Sequence, residues 1–248
     1  MGRGGQGRRA GARPLHPRSV SLLVALRAEM SKEGDPARAR GQQAYMKSTM
    51  PFHGLTMPQV RAISRRLFSE RTAGDCEDWQ RDALALWRGA KFREERYAAL
   101  ELVTDRRFAR CLTPDAMPML EEMIVTGAWW DHVDEVAHLV GDILRDHPRA
   151  MKRLMRAWST DADLWKRRVS IICQISFKKE TDLALLYANI EPNLADRNFF
   201  IRKAIGWALR AYAWTDPVEV ARFVREQHPR LSALSRREAL KNVAPALR

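Results

Sequence analysis

A chain of 248 residues that is 46% hydrophobic can bury a full core, yet no stretch approaches the roughly 20 apolar residues of a membrane-spanning helix. A net charge of +13 and a pI near 10.3 favour a polyanionic partner, either nucleic acid or an acidic membrane surface. Cys76, Cys111 and Cys173 are far apart and odd in number, the pattern of a reduced cytoplasmic protein and not of a disulfide scaffold.

Taken in chain order, residues 1–18 come first. They hold Arg3, Arg8, Arg9, Arg13, Arg18, five glycines and no acid, a composition that cannot build a core and predicts a disordered basic extension. The competing reading is a targeting signal, but the apolar run Val20–Leu26 is short and has no clear small-residue cleavage site. Without those five arginines, residues 19–248 keep a charge of +8, so the predicted folded domain is itself basic.

From Ser19 onward the chain reads as helix after helix. Thr56-Met57-Pro58-Gln59 has the form of a capping box, followed by Val60, Ile63 and Leu67 on one face. Asp75 is placed to cap a segment carrying Leu84, Leu86 and Trp87, and Gly127 marks a stop after Met117–Thr126. From Trp130, the positions Val133, Ala137, Val140 and Leu144 keep helical spacing as far as His147-Pro148. Ser235-Arg236-Arg237-Glu238 reads as a capping box opening the last helix. No alternating window long enough for a strand stands out. Roughly ten to twelve helices of ten to eighteen residues predict an all-α fold, an α-solenoid of HEAT-like helical pairs with a concave basic face. A compact irregular bundle is the alternative.

Three segments combine aromatic and charged residues. Trp129-Trp130-Asp131-His132-Val133-Asp134 sets Trp130 and Asp134 at i, i+4, so that an indole and a carboxylate share one helix face and can hold a cationic ring. Core packing for the tryptophans and a solvated face for the acids and for His132 and His138 explain the same segment more cheaply. In Trp165-Lys166-Arg167-Arg168-Val169, Arg168 flanks the apolar side made by Val169, Ile172 and Ile175, while Lys166 and Arg167 point to water or phosphate. Phe199–Trp207 joins apolar bulk to Arg202 and Lys203, and Gly206 inside it implies close helix packing or a space kept clear beside Trp207. There is no HExxH, CxxC, GxxxxGK[ST] or strand-associated GxGxxG pattern, so no metal, nucleotide or other cofactor is called for.

In order, Tyr45-Met46-Lys47 with Pro51-Phe52-His53-Gly54, WWDHVD at 129–134, RRVSIICQISFKK at 167–179, FFIRKAIGWALRAYA at 199–213 and SRREALKNV at 235–243 resemble the AlkD-like DNA alkylation repair glycosylases. The resemblance covers about residues 20–243. It implies a HEAT-like solenoid cradling double-stranded DNA that carries alkylated purines, with the chain acting as a monomer. Asp134 corresponds to the family's catalytic aspartate, Trp130 and Trp207 to its cleft tryptophans, Arg168 to its cleft arginine, and Tyr45 to its N-terminal cleft tyrosine. Tyr45, Lys47, Lys166, Arg167, Lys178, Lys179, Arg202 and Lys203 are the candidate DNA-binding residues. The expected reaction is monofunctional hydrolysis of the N-glycosidic bond of cationic N3- and N7-alkylpurines without base flipping. The alternatives are a non-catalytic HEAT-like scaffold for DNA or another protein, and an RNA-binding solenoid.

Overall fold

A computed structural model of the protein describes residues 17–69 and 74–247. The predicted extension lies outside the described residues as far as residue 16, and the first helix begins at Pro17. The described residues form thirteen α-helices joined by short connections and short 3₁₀ segments, with no strand among them. None of these helices is long and apolar enough to cross a membrane. The chain divides into two compact units, residues 1–102 and 103–248.

The first unit contains α1 (Pro17–Glu33), α2 (Pro36–Met46), α3 (Met57–Ser69), α4 (Cys76–Gly89) and nearly all of α5 (Arg93–Val103). In α1, Leu22, Leu26 and Met30 recur every four residues and are buried; each such side chain contributes about 1.5–3 kcal/mol. Asp35 caps α2 by accepting from the backbone N–H groups of Ala37 and Arg38, and Asp75 caps α4 through that of Asp78. At the start of α3 the capping box is half made: Gln59 accepts from the Thr56 backbone N–H at 3.0 Å. The loop after α2 is tied down by the first turn of α5. Glu94 accepts three backbone N–H bonds, from His53, Gly54 and Leu55, at 2.8–3.0 Å. Gly54 is required there: its φ is +88°, and a Cβ would sit 2.0 Å from the Asp35 carbonyl oxygen.

The second unit is an α-solenoid. Its α-helices are α6 (Met117–Gly127), α7 (Trp130–Asp146), α8 (Pro148–Trp158), α9 (Leu164–Ile172), α10 (Leu183–Ile190), α11 (Phe199–Tyr212), α12 (Pro217–Glu226) and α13 (Ala233–Ala239). Helices α7, α9, α11 and α13 pack side by side, backed by α8, α10 and α12. Val133, Val136, Ala137, Val140, Ile143 and Leu144 line the buried face of α7. Backbones approach closely at two glycines. A Cβ on Gly141 would lie 2.2 Å from the Cys173 carbonyl oxygen, and one on Gly206 would lie 2.5 Å from Glu238 Cβ. Of the two readings of Gly206, close helix packing is the one found.

Three local expectations are corrected. Helix α6 runs through Gly127, and Ala128 takes the left-handed conformation at φ 39°. The cap of α13 is Ser232, not Ser235; the Ser235 hydroxyl instead donates to the Arg202 carbonyl at 2.9 Å, pinning α13 to α11. His132 is fully buried, so only the exposed His138 lies on a solvated face. Cys173 is free and buried.

Candidate functional site

The second unit brings together Asp134 on α7, Arg168 on α9 and Trp207 on α11. Arg168 grips Asp134 with two parallel hydrogen bonds, Nε to Oδ1 at 2.7 Å and Nη2 to Oδ2 at 2.8 Å. Its third nitrogen donates to the Phe200 carbonyl at 2.7 Å. The guanidinium carbon lies 5.9 Å from the centre of the Trp207 ring. Arginine stays charged at any relevant pH and its fork matches a carboxylate, so the pair fixes one orientation of Asp134. The Asp134 side chain keeps 16% of its exposure against 6% for Arg168, leaving the carboxylate the wetter partner. Each carboxylate oxygen has a second acceptor position, and Asp134 makes no other hydrogen bond among the described residues.

An aromatic cluster sets this geometry. Phe200 packs edge-on against Trp129 at 5.3 Å and tilted against Trp165 at 4.9 Å between ring centres. The three rings come from the starts of α11, α7 and α9, so the cluster locks together the ends of the helices that carry Asp134, Arg168 and Trp207. The two tryptophans of the WWDHVD segment therefore divide their roles. Trp129 packs within the cluster, while Trp130, one residue later, is 37% exposed on the helix that carries Asp134.

The basic candidates separate by what already holds them. Lys166 pairs with Glu121 at 2.8 Å and Asp161 at 2.5 Å. Burial acts to lower its pKa, but the two carboxylates outweigh this and raise it above the usual lysine value. Arg167 pairs with Asp196 at 3.2 Å and donates to the Asp161 carbonyl. Lys203 lies 3.3 Å from Glu238, which also binds Arg210 and Lys241. Arg202 has no ion pair among the described residues, and its Nε is buried. Lys178 and Lys179 are exposed and form no ion pair among the described residues. They line an open groove of about 840 Å³ together with Trp207, Arg210 and Trp214. In the first unit, Tyr45 is 77% exposed and Lys47 caps α2 in a left-handed conformation.

Sequence reasoning passed over three participants: the Phe200 carbonyl, the Trp129–Trp165–Phe200 cluster, and Trp214. For Trp214 a signal existed, since it stands seven residues after Trp207, the two-turn repeat of a helix, although α11 itself ends at Tyr212. A backbone acceptor such as the Phe200 carbonyl leaves no mark in side-chain identity.

Comparison with known proteins gives the fold and the family of the chain. A solved structure described as a predicted DNA alkylation repair enzyme from Enterococcus faecalis is 28% identical, with a TM-score of 0.78. The match covers 86% of this chain and 97% of that one. No curated protein matches the sequence. The sequence model for the DNA alkylation repair enzymes spans residues 26–243, from α1 to the end of α13 and the turn after it. With most of its length matched, the chain belongs to the DNA alkylation repair enzyme family.

Proposed function

We propose that this chain is a monofunctional glycosylase that hydrolyses the N-glycosidic bond of cationic N3- and N7-alkylpurines in duplex DNA. The observation that carries the reading is the half-used carboxylate of Asp134, held by Arg168, whose guanidinium lies over Trp207, with the exposed Trp130 one helical turn before Asp134 on α7. An alkylated purine already bears positive charge. When its bond to the sugar breaks, the electron pair leaves with the base, which becomes neutral, and the sugar becomes oxocarbenium-like. Asp134 stabilises that cation and orients a water through its free acceptor positions. The water oxygen bonds to the sugar carbon and its proton passes to the carboxylate or to solvent. Arg168 is then a positioning residue. The indoles meet the cationic lesion and its sugar through their electron-rich faces, with the base left in place and no cofactor required. DNA lies against the layer of α7, α9, α11 and α13, forming the basic face, and a monomer suffices.

The phosphate contacts are assigned first to Lys178 and Lys179, whose charges are uncommitted, and next to Arg202, with Tyr45 and Lys47 serving the first unit. Lys166, Arg167 and Lys203 must leave or share a carboxylate to reach phosphate. One observation favours the second reading, a non-catalytic scaffold: a bidentate Asp134–Arg168 pair is also what a purely structural ion pair looks like. Release of 7-methylguanine from methylated duplex DNA, compared between wild type and Asp134→Asn, decides between them. Equal release by both proteins removes Asp134 from the chemistry, and no release by wild type leaves the scaffold.

A further inference from the structure

The groove beside Trp207 is not accounted for by bond cleavage, because Asp134 is not among its lining residues. One wall is the turn at 177–180, and the other is the end of α11 with Trp214. Trp214 is 79% exposed. A single exposed aromatic is ordinary, but this one shares a groove with a second indole and two lysines that have no ion pair among the described residues. The acid of the groove, Glu180, is held by Arg145 at 3.0 Å, and the same guanidinium covers the Phe177 ring at 4.3 Å. The turn is thus clamped to α7 with its two lysines presented to solvent. Asn242 donates its amide to the Arg210 carbonyl at 3.2 Å, which leaves its side-chain oxygen as an acceptor in the groove.

A ligand that suits flat aromatic walls and uncommitted cations is at once aromatic and anionic, which is the chemistry of a nucleotide. In paired DNA both faces of a base are covered by its neighbours, so an indole can meet a base face only where a nucleotide has left the stack. We propose that this groove receives one unpaired nucleotide of a DNA duplex, with its base against Trp214 and its phosphates against Lys178 and Lys179. The proposal rests on the reading of duplex DNA as the substrate. It adds a subsite for a nucleotide other than the one whose bond is cut.

The test is equilibrium binding of the full chain to two undamaged duplexes that differ by one bulged nucleotide, followed by fluorescence anisotropy at physiological salt. Wild type should bind the bulged duplex about tenfold more tightly. Trp214→Ala should abolish that preference and Trp214→Phe should keep most of it. Because Trp214 is solvent-exposed, neither change threatens the fold. Replacing both lysines, with Lys178→Asn to suit its positive φ and Lys179→Gln, should weaken bulge binding and flatten its salt dependence. Equal affinity of wild type for the two duplexes overturns the proposal, as does a preference that survives Trp214→Ala. A stronger preference for a bulge in an RNA duplex overturns the assignment to DNA. Base release from methylated DNA is measured on the same preparation. Lost preference with intact release rejects the subsite alone, and lost release with intact preference rejects the glycosylase reading alone. No DNA binding at all rejects both.

Discussion

Glu95 in the first unit and Asp134 in the second are both carboxylates gripped by an arginine fork, and they are used differently. Glu95 takes two bonds from Arg27, one from the His53 ring and one from the Lys91 backbone N–H. Its side chain has no exposure, and all four acceptor positions of the carboxylate are filled. Asp134 takes two bonds from Arg168 and keeps two positions open. A saturated carboxylate can only hold structure. A half-saturated one, oriented but still partly wet, can also act on something that arrives.

The largest expected effect tests the saturated side. Glu95→Gln puts an N–H donor among donors and leaves Arg27 uncompensated, so unfolding in urea should show a loss of about 3–5 kcal/mol. Base release per folded molecule should be unchanged. A stability loss under 1 kcal/mol would mean that the saturated cluster is ornamental.

Asp134→Asn should leave stability and DNA affinity near wild type while slowing single-turnover base release about a hundred- to a thousandfold, the usual cost of about 2.7–4 kcal/mol for one preorganised electrostatic contact. Excision within about threefold of wild type would make the two carboxylates alike after all.

Acid tests the saturated carboxylate of Glu95 through stability. Burial acts to raise the Glu95 pKa, but its bonds to His53, Arg27 and the Lys91 backbone win and hold it at about 2, below the ordinary 4.5. A depressed folded value stabilises the protein above pH 4.5 and loses that contribution as the pH falls towards 2. It is worth about 3 kcal/mol at full strength. Denaturation midpoints followed from pH 6 to pH 2 should therefore fall through that window in wild type and less steeply in Glu95→Gln. Parallel curves would remove Glu95 from the acid response.

The smallest effects belong to the indoles. Trp130→Ala and Trp207→Ala should each slow release of 7-methylguanine by an amount equivalent to about 0.5–2 kcal/mol, the worth of an aromatic face against a cation. Uracil and hypoxanthine should stay in the DNA with every variant, since a neutral leaving base needs an acid that neither Asp134 nor Arg168 supplies. Efficient uracil release by wild type would sink the charge-based account of selectivity.

The amino-acid order by itself determined what depends on interactions within one or two helical turns. The all-helical class, the Asp75 cap and the buried face of α7 were legible because caps and apolar periodicity act between residues one to eight positions apart. The family resemblance placed Asp134, Arg168 and Trp207 as site candidates before any geometry was known. Tertiary structure decided the partners. That Arg168 spends itself on Asp134 and the Phe200 carbonyl while Lys178 and Lys179 stay uncommitted follows from α9 lying between α7 and α11. It also decided that Ser235 serves α11 and leaves the cap to Ser232, and that His132 faces inward. A charge or hydroxyl has its value fixed by whichever group packing brings within about 3 Å, and that group is commonly some thirty residues away in the chain.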